Sequence, residues 1–206
     1  MFKPEELVAD VFAGVGPFAV PAANKGCGVV GNDLNPNSVK YFSKNVNDNK
    51  VGIYCAYFLI EAPIEFAQVD DLVRVSCEDG RDFIRSIVAR VYDDPFPAYT
   101  PKPSKIQEKE RRRLQKPELK GKVTSSPVVL PTRKMITHFV MNLPDSAITF
   151  LDAFRGILVD EGSRNLAEVY HQMPMIHCYC FTRELEFQSA ERDIRQVRIV
   201  DARWIS

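Results

Sequence analysis

The hydrophobic residues of this 206-residue chain fall into short apolar runs separated by more polar, helix-like stretches. Five runs are predicted to be strands: Leu7–Phe12, Cys27–Gly31, Val73–Cys77, His138–Met141 and Met175–Phe181. Helices are predicted over 17–25, 35–49, 80–91, 147–158 and 184–196, with apolar residues at helical spacing in the second and fourth. This alternation predicts an α/β fold with a Rossmann-like, doubly wound and mostly parallel sheet.

Turn and cap residues support several of these boundaries. Gly26 is predicted to end the first helix, and Asn35 with Pro36 to begin the second. Asp145 or Ser146 is predicted to cap the helix 147–158. The predicted strands and helices therefore have local start and stop signals of their own.

Two stretches interrupt the pattern. Residues 52–67 are almost continuously apolar at first, which predicts either a buried extra strand or an atypical insertion that packs poorly. Residues 93–134 hold seven prolines, and residues 102–134 carry eleven Lys or Arg against three Glu, a net charge of +8. This basic, proline-rich loop is either a solvated, mobile insertion or an arm that contacts phosphates. It has too few aromatic residues to support base stacking.

Composition excludes several classes of protein. The formal net charge is zero, so no overall field draws the chain to nucleic acid or membrane. Five scattered cysteines favour a reducing compartment, and Cys178 and Cys180 lack nearby metal-binding partners, so no metal site is predicted. No apolar run is long enough to span a bilayer, and the first six residues do not resemble a signal peptide.

A glycine-rich turn follows the first predicted strand. Asp10 ends the apolar run, Gly14 and Gly16 form the turn, and Asp33 comes after the second strand about twenty residues later. This layout is typical of a nucleotide-type cofactor site, in which glycines admit the ligand and the second acid accepts from a ribose diol. An ordinary strand–turn–helix without a ligand is the alternative.

The turn departs from a dinucleotide fingerprint in ways that identify the ligand. Pro17 has no N–H to offer a phosphate, and the carboxylate of Asp10 would repel one. Both features disfavour a dehydrogenase. A ligand with an adenine, a ribose and a positive amino group fits better, and S-adenosylmethionine has those parts.

Two later polar residues also follow predicted strands. Asp79, after the third strand, is placed to accept from an adenine amino group. Asn142, in Asn142–Leu143–Pro144 after the fourth strand, can accept from an N–H or amino group of a substrate without adding charge. A helix-starting turn is the alternative for this tripeptide. Ligands of such sheets bind at the carboxyl ends of the strands, where all of these residues fall.

The stretches 10–18, 32–36, 79–83 and 140–144 together resemble the tRNA (guanine-37-N1)-methyltransferase family, in its eukaryotic and archaeal form. The resemblance implies a class I methyltransferase that moves a methyl group from S-adenosylmethionine to N1 of guanine 37 in tRNA. It implies cofactor contacts from nine residues: Asp10, Phe12, Gly14, Gly16, Asp33, Leu34, Asp79, Gly80 and Asn142. It assigns Asn142 and Pro144 to catalysis. It further implies a monomer without membrane contact, in the cytoplasm, with the mitochondrial matrix and nucleus for the full-length member.

The chain also departs from that family. Family members carry a tRNA-recognition domain and a catalytic glutamate upstream of the first strand, and two further strands after the fifth. The chain is therefore interpreted as a partial catalytic domain over 1–206, missing its last strands, with 52–67 and 197–206 as products of an imperfect gene model. Alone, it is expected to bind the cofactor weakly and to methylate tRNA slowly.

Two alternatives remain open at this point. The related aminocarboxypropyl transferase of wybutosine synthesis uses the same cofactor differently, although Asn142–Leu143–Pro144 and the intact glycine turn favour the methyltransferase. A binding module without catalysis would keep the cofactor pocket and offer its basic arm to RNA.

Overall fold

A computed structural model describes residues 2–49, 53–54, 72–99, 131–159 and 164–201. Six parallel strands form one sheet in the order β3-β4-β2-β1-β5-β6. The strands are β1 Leu7–Asp10, β2 Gly28–Asn32, β3 Ile53–Tyr54, β4 Val73–Ser76, β5 His138–Asn142 and β6 Met175–Tyr179. The predicted α/β fold is confirmed.

The helices follow the strands in the predicted order, with one additional short helix before β6 that sequence analysis did not predict. They are α1 Ala19–Asn24, α2 Pro36–Asp48, α3 Gly80–Asp93, a 3₁₀ helix Ala147–Phe154, α4 Leu166–Val169 and α5 Phe187–Asp201. Gly26 has a φ of 103° directly after the first helix, and Asn35 caps the second by accepting from the Asn37 amide at 3.0 Å. Both predicted boundaries are confirmed, because each depends on a local backbone preference.

The core lies on both faces of the sheet. One face packs beneath α3 and the 3₁₀ helix, with Phe83, Phe139 and Met141 fully buried. The other packs beneath α1 and α2, where Phe42 and Val46 are fully buried. Burial on both faces explains the nearly continuous apolar runs of the central strands.

The predicted helix over 147–158 is wrong in type and length. The segment is a 3₁₀ helix that ends at Phe154, since Arg155 is extended and Gly156 has a φ of 72°. Ala147 and Ala153 are fully buried and lie two turns of three residues apart, so 3₁₀ periodicity places both against the sheet. Ser146 makes no side-chain cap, and Asp145 lies one position earlier, so the predicted cap is also wrong.

The two atypical stretches are described only in part. Ile53 and Tyr54 form a short edge strand beside β4, which agrees with an extra strand there. Residues 55–67 and 100–130 lie outside the described residues, so the insertion and the basic loop stay predictions.

The ends of the basic loop are fastened to the domain. Phe96 and Arg133 form an antiparallel bridge, with N–H···O distances of 2.8 and 2.9 Å. The guanidinium of Arg133 is buried and donates to the carbonyl oxygens of Pro4, Gly26 and Pro97. Arg133, counted above among the basic residues, therefore has a structural role. Among the described residues, no helix is long and apolar enough to cross a membrane.

Candidate functional site

The predicted site residues meet at one edge of the sheet. Strands β4, β2, β1 and β5 are neighbours, and Asp10 lies in register with Gly31 on one side and Val140 on the other. Because the strands are parallel, the residues that end them or follow them closely lie side by side at the carboxyl edge. These residues are Asp10, Asp33, Asp79 and Asn142.

The glycine turn has the backbone that its sequence requires. Gly14 and Gly16 have φ values of 55° and 90°, in the left-handed region that other residues rarely adopt. A Cβ on Gly16 would also lie 2.5 Å from the ring of Phe42. The turn thus brings bare backbone to the sheet edge, and α1 begins at Ala19, two residues after Pro17.

Asp33 holds the turn in place. Its Oδ2 accepts from the amide nitrogen of Gly14 at 2.9 Å, and its Oδ1 accepts from that of Asn35 at 2.9 Å. Each carboxylate oxygen keeps a second lone pair for a ligand. Leu34, the next residue, is 69% exposed at the same edge.

Asp10 is a buried acid whose carboxylate makes no well-formed hydrogen bond to the described residues. The residue is 1% exposed, and neither carboxylate oxygen is hydrogen-bonded within the part of the chain that is described. Burial raises the pKa of Asp10 to about 7, and the charge of Asp33 adds to the rise. The nearby backbone amides of Phe12 and Ala19 act in the opposite direction and lower it. A carboxylate in this position favours a cation or a hydrogen-bond donor beside it.

Asp79 and Gly80, which follow β4, form one wall of the candidate site, and Asp10 to Phe12 form the wall beside it. Asp79 Oδ1 accepts from the Arg81 amide at 2.8 Å and so caps α3, which sequence analysis did not predict. A Cβ on Gly80 would lie 2.8 Å from Cε1 of Phe12 and 3.2 Å from Cε1 of Phe150. Gly80 is thus required for the close approach of the half-buried Phe12 ring.

Asn142 and Pro144 lie at the end of β5. Asn142 is half-buried and in register with Tyr179 of β6. The carbonyl oxygen of Pro144 accepts from the Phe181 amide at 3.2 Å. An open cavity of about 430 Å³ lies beside this loop, lined by Pro144, Asp145, Phe181, Thr182, Arg183, Glu184 and Asp193.

Sequence analysis did not identify the contacts that join these walls. Arg81 Nε donates to both carboxylate oxygens of Asp152 at 3.1 and 3.2 Å, and its guanidinium lies 4.3 Å from the ring centroid of Phe150. The Phe150 ring in turn meets that of Phe12 at 4.9 Å, edge to face. In the sequence, the one indication of this contact is the basic residue Arg81 directly after Asp79–Gly80.

A second polar cluster lies at the opposite edge of the sheet. His138 contacts Glu6 and His177 through its two ring nitrogens, each at 3.1 Å. Both imidazoles pack against the ring of Phe2. The His138 nitrogens face different partners, and no three described His, Cys, Asp or Glu residues are arranged to hold a metal ion.

Comparison with known proteins identifies the relatives of this chain. Residues 1–123 match the TRM5/TYW2 methyltransferase domain. The tRNA (guanine(37)-N(1))-methyltransferase of Coprinopsis cinerea is 52% identical over 95% of this chain, and the enzyme of the same name from Cryptococcus neoformans is 40% identical over 95%. The crystal structure of Trm5b from Pyrococcus abyssi covers 98% of the chain at 20% identity, with a TM-score of 0.45.

The chain corresponds to only part of these relatives. It spans 40% of the Coprinopsis protein, 38% of the Cryptococcus protein and 37% of the Pyrococcus chain.

Proposed function

Because the chain belongs to the TRM5/TYW2 methyltransferase domain family, we propose that it transfers a methyl group from S-adenosylmethionine to N1 of guanine 37 in tRNA. The names of its curated relatives support this proposal. The observation that carries it is the buried carboxylate of Asp10, which makes no well-formed hydrogen bond to the described part of the chain. It lies beside a glycine turn, at the edge where three further polar residues meet.

The residues at this edge fit the cofactor. Asp10 would face its ammonium group, because a buried carboxylate gains most from a positive donor. Gly14 and Gly16 leave room along the backbone, and Asp33 has lone pairs for the ribose hydroxyls. When bound, S-adenosylmethionine supplies an electrophilic methyl group on its sulfonium sulfur.

The base-binding part of the cofactor site would lie toward β4. Asp79 uses Oδ1 for the cap of α3 and keeps Oδ2 for an adenine amino group. The exposed aliphatic side chain of Leu34 would pack on the adenine plane. The Phe12 ring, which packs closely against Gly80, would line the same part of the pocket.

The substrate guanine would lie beside Asn142. The carbonyl oxygen of that carboxamide would accept from a guanine N–H. Pro144, whose carbonyl oxygen accepts from the Phe181 amide, would keep the same loop rigid. Asn142 cannot take up the N1 proton, and a positioned base contributes about 10²–10⁴ in rate. The base for this proton is therefore expected to be a group other than Asn142. We propose that it acts as a monomer on tRNA, in the cytoplasm, mitochondrial matrix or nucleus.

A methyl-transfer assay tests the proposal. The chain is incubated with labelled S-adenosylmethionine and unmodified tRNA, beside a tRNA in which guanine 37 is replaced by adenine. We expect 1-methylguanosine from the first tRNA only, and less of it with Asn142→Ala. Cofactor binding without modification in the same samples would instead identify a binding module.

The mass of the modified nucleoside distinguishes the two enzyme activities. A methyl group identifies the proposed reaction, whereas the larger aminocarboxypropyl group identifies the related transferase. The family name covers both branches, so the mass decides between them.

A further inference from the structure

Asn32, the last residue of β2, is a buried polar residue without a role in the site described above. It is 1% exposed and lies between the ends of β1 and β4. Its carboxamide Nδ2 donates to the carbonyl oxygens of Val11 at 3.2 Å and Glu78 at 3.0 Å. Its Oδ1 accepts from the amide nitrogen of Glu78 at 3.0 Å.

This set of partners specifies an asparagine. Two carbonyl oxygens require two N–H donors, and one amide requires an acceptor, which a carboxamide provides in a single orientation. A carboxylate of the same shape would face both carbonyls without a donor. An aliphatic residue would leave three backbone polar groups without their partner, and a buried group left in this way costs more than its hydrogen bond contributes.

The groups that Asn32 holds lie next to the walls of the pocket. Val11 is between Asp10 and Phe12, and Glu78 immediately precedes Asp79. The backbone oxygen of Asn32 also accepts from the Ala13 amide at 2.7 Å, inside the glycine turn. One residue thus ties the turn after β1 to the turn after β4.

We propose that Asn32 is a positioning residue for the cofactor pocket. It sets the separation between the Asp10–Phe12 wall and the Asp79–Gly80 wall, and it acts through Val11 and Glu78 without touching the ligand. This inference rests on the proposed function, since the ligand is taken to be S-adenosylmethionine.

The experiment compares three variants of the 206-residue chain: Asn32→Ala, Asn32→Ser and Val91→Ala. Val91 is 1% exposed in the last turns of α3, away from the pocket, so its truncation controls for lost stability. The dissociation constant of S-adenosylmethionine is measured by calorimetry at a temperature where each variant is folded. Hydrogen exchange of the Glu78 amide is measured without ligand.

We expect Asn32→Ala to weaken binding about tenfold or more and to speed exchange at Glu78. Asn32→Ser keeps one donor and one acceptor on a shorter side chain, so an intermediate loss is expected, and it provides the result if the alanine variant does not fold. Val91→Ala should melt earlier and bind as the parent does.

Two outcomes overturn the inference. Equal affinity in the parent and the Asn32 variants means that the pocket does not depend on the carboxamide. An equal loss of affinity in Val91→Ala means that the effect is one of general stability. If the parent itself does not bind S-adenosylmethionine, the proposed function fails, and this inference fails with it.

Discussion

The amide nitrogen of Gly14 donates to Oδ2 of Asp33 across 2.9 Å, which ties the glycine turn after β1 to the acid after β2. The same carboxylate fixes the start of α2 through the Asn35 amide. Asp33 therefore shapes the turn and offers acceptors to a ligand at the same time.

Replacing Asp33 with Asn should weaken S-adenosylmethionine binding about tenfold or more. One of the two backbone amides would then face an NH₂ group, and a ribose hydroxyl would lose a charged acceptor. Asp48→Asn makes the same chemical change at the exposed end of α2 and should bind as the parent does. Calorimetric titration measures both, and unchanged affinity in Asp33→Asn would contradict the assigned role.

Cofactor binding should release a proton near neutral pH. The pKa of Asp10 is raised to about 7 by burial, and a cationic ligand beside the carboxylate should lower it. Affinity should therefore fall as the pH drops below 7. Calorimetry at pH 7 in two buffers of different ionisation enthalpy measures the released proton. Asp10→Asn should bind weakly and release none, and release that persists in this variant would assign the proton to another group.

The stability of the ligand-free protein should have the opposite pH dependence at Asp10. Its folded-state pKa lies above the ordinary value of 3.8, so the folded state holds an extra proton between about pH 4 and pH 7. The contribution of Asp10 to the free energy of unfolding is therefore fully present below about pH 4. It falls as the pH rises to about 7 and is constant above that value. At pH 8, Asp10→Asn should raise the free energy of unfolding by on the order of 4 kcal/mol, since a pKa rise from 3.8 to about 7 corresponds to about 1.4 kcal/mol per unit. Urea denaturation of parent and variant at pH 5 and pH 8 measures this difference.

Arg81 and Asp152 should be energetically coupled. Their side chains are about one third exposed, so solvent screening limits the coupling to about 0.5–1 kcal/mol. A double-mutant cycle with Arg81→Ala and Asp152→Ala measures it by urea denaturation. The exposed pair Glu191–Arg195 on α5 is the control and should couple more weakly. Additive effects of the two substitutions would mean that the contact does not fasten the 3₁₀ helix to α3.

His177 should destabilise the protein in mild acid. Burial, followed by the charge of His138, lowers its pKa in the folded state. As the pH falls through about 6.5, His177 therefore takes up a proton in the unfolded chain before it does so in the folded protein. The free energy of unfolding accordingly decreases at pH values below about 6.5. The difference in melting temperature between the parent and His177→Gln should accordingly change between pH 7.5 and pH 5.5. A constant difference would show that the imidazole does not titrate differently on unfolding.

The elements of this fold were predictable because their signals are local. The periodicity of Val39, Phe42 and Val46 predicts a helix, and all three residues are buried. Asn35 and Gly26 mark boundaries through the conformations of their own backbones. The glycine turn was predictable for the same reason.

The contacts between elements could not be predicted in this way. Asn32 reads as one more polar residue beside Asp33, and its partners are 21 and 46 residues away. Arg133 reads as part of a basic stretch, although its guanidinium is buried against three carbonyl groups from distant segments. The type of helix after Asn142 depends on which alanines the sheet can bury, and this is also a property of the assembled core.

The bridge between Phe96 and Arg133 has a consequence for how such domains change over time. Phe96 and Arg133, which lie on either side of residues 100–130, are bonded to each other, so both ends of this stretch are fixed at one point. Loop closure costs only about 0.6 kcal/mol for each doubling of length. Insertions and deletions between these two residues can therefore accumulate while the register of the sheet and the pocket at its edge are left unchanged.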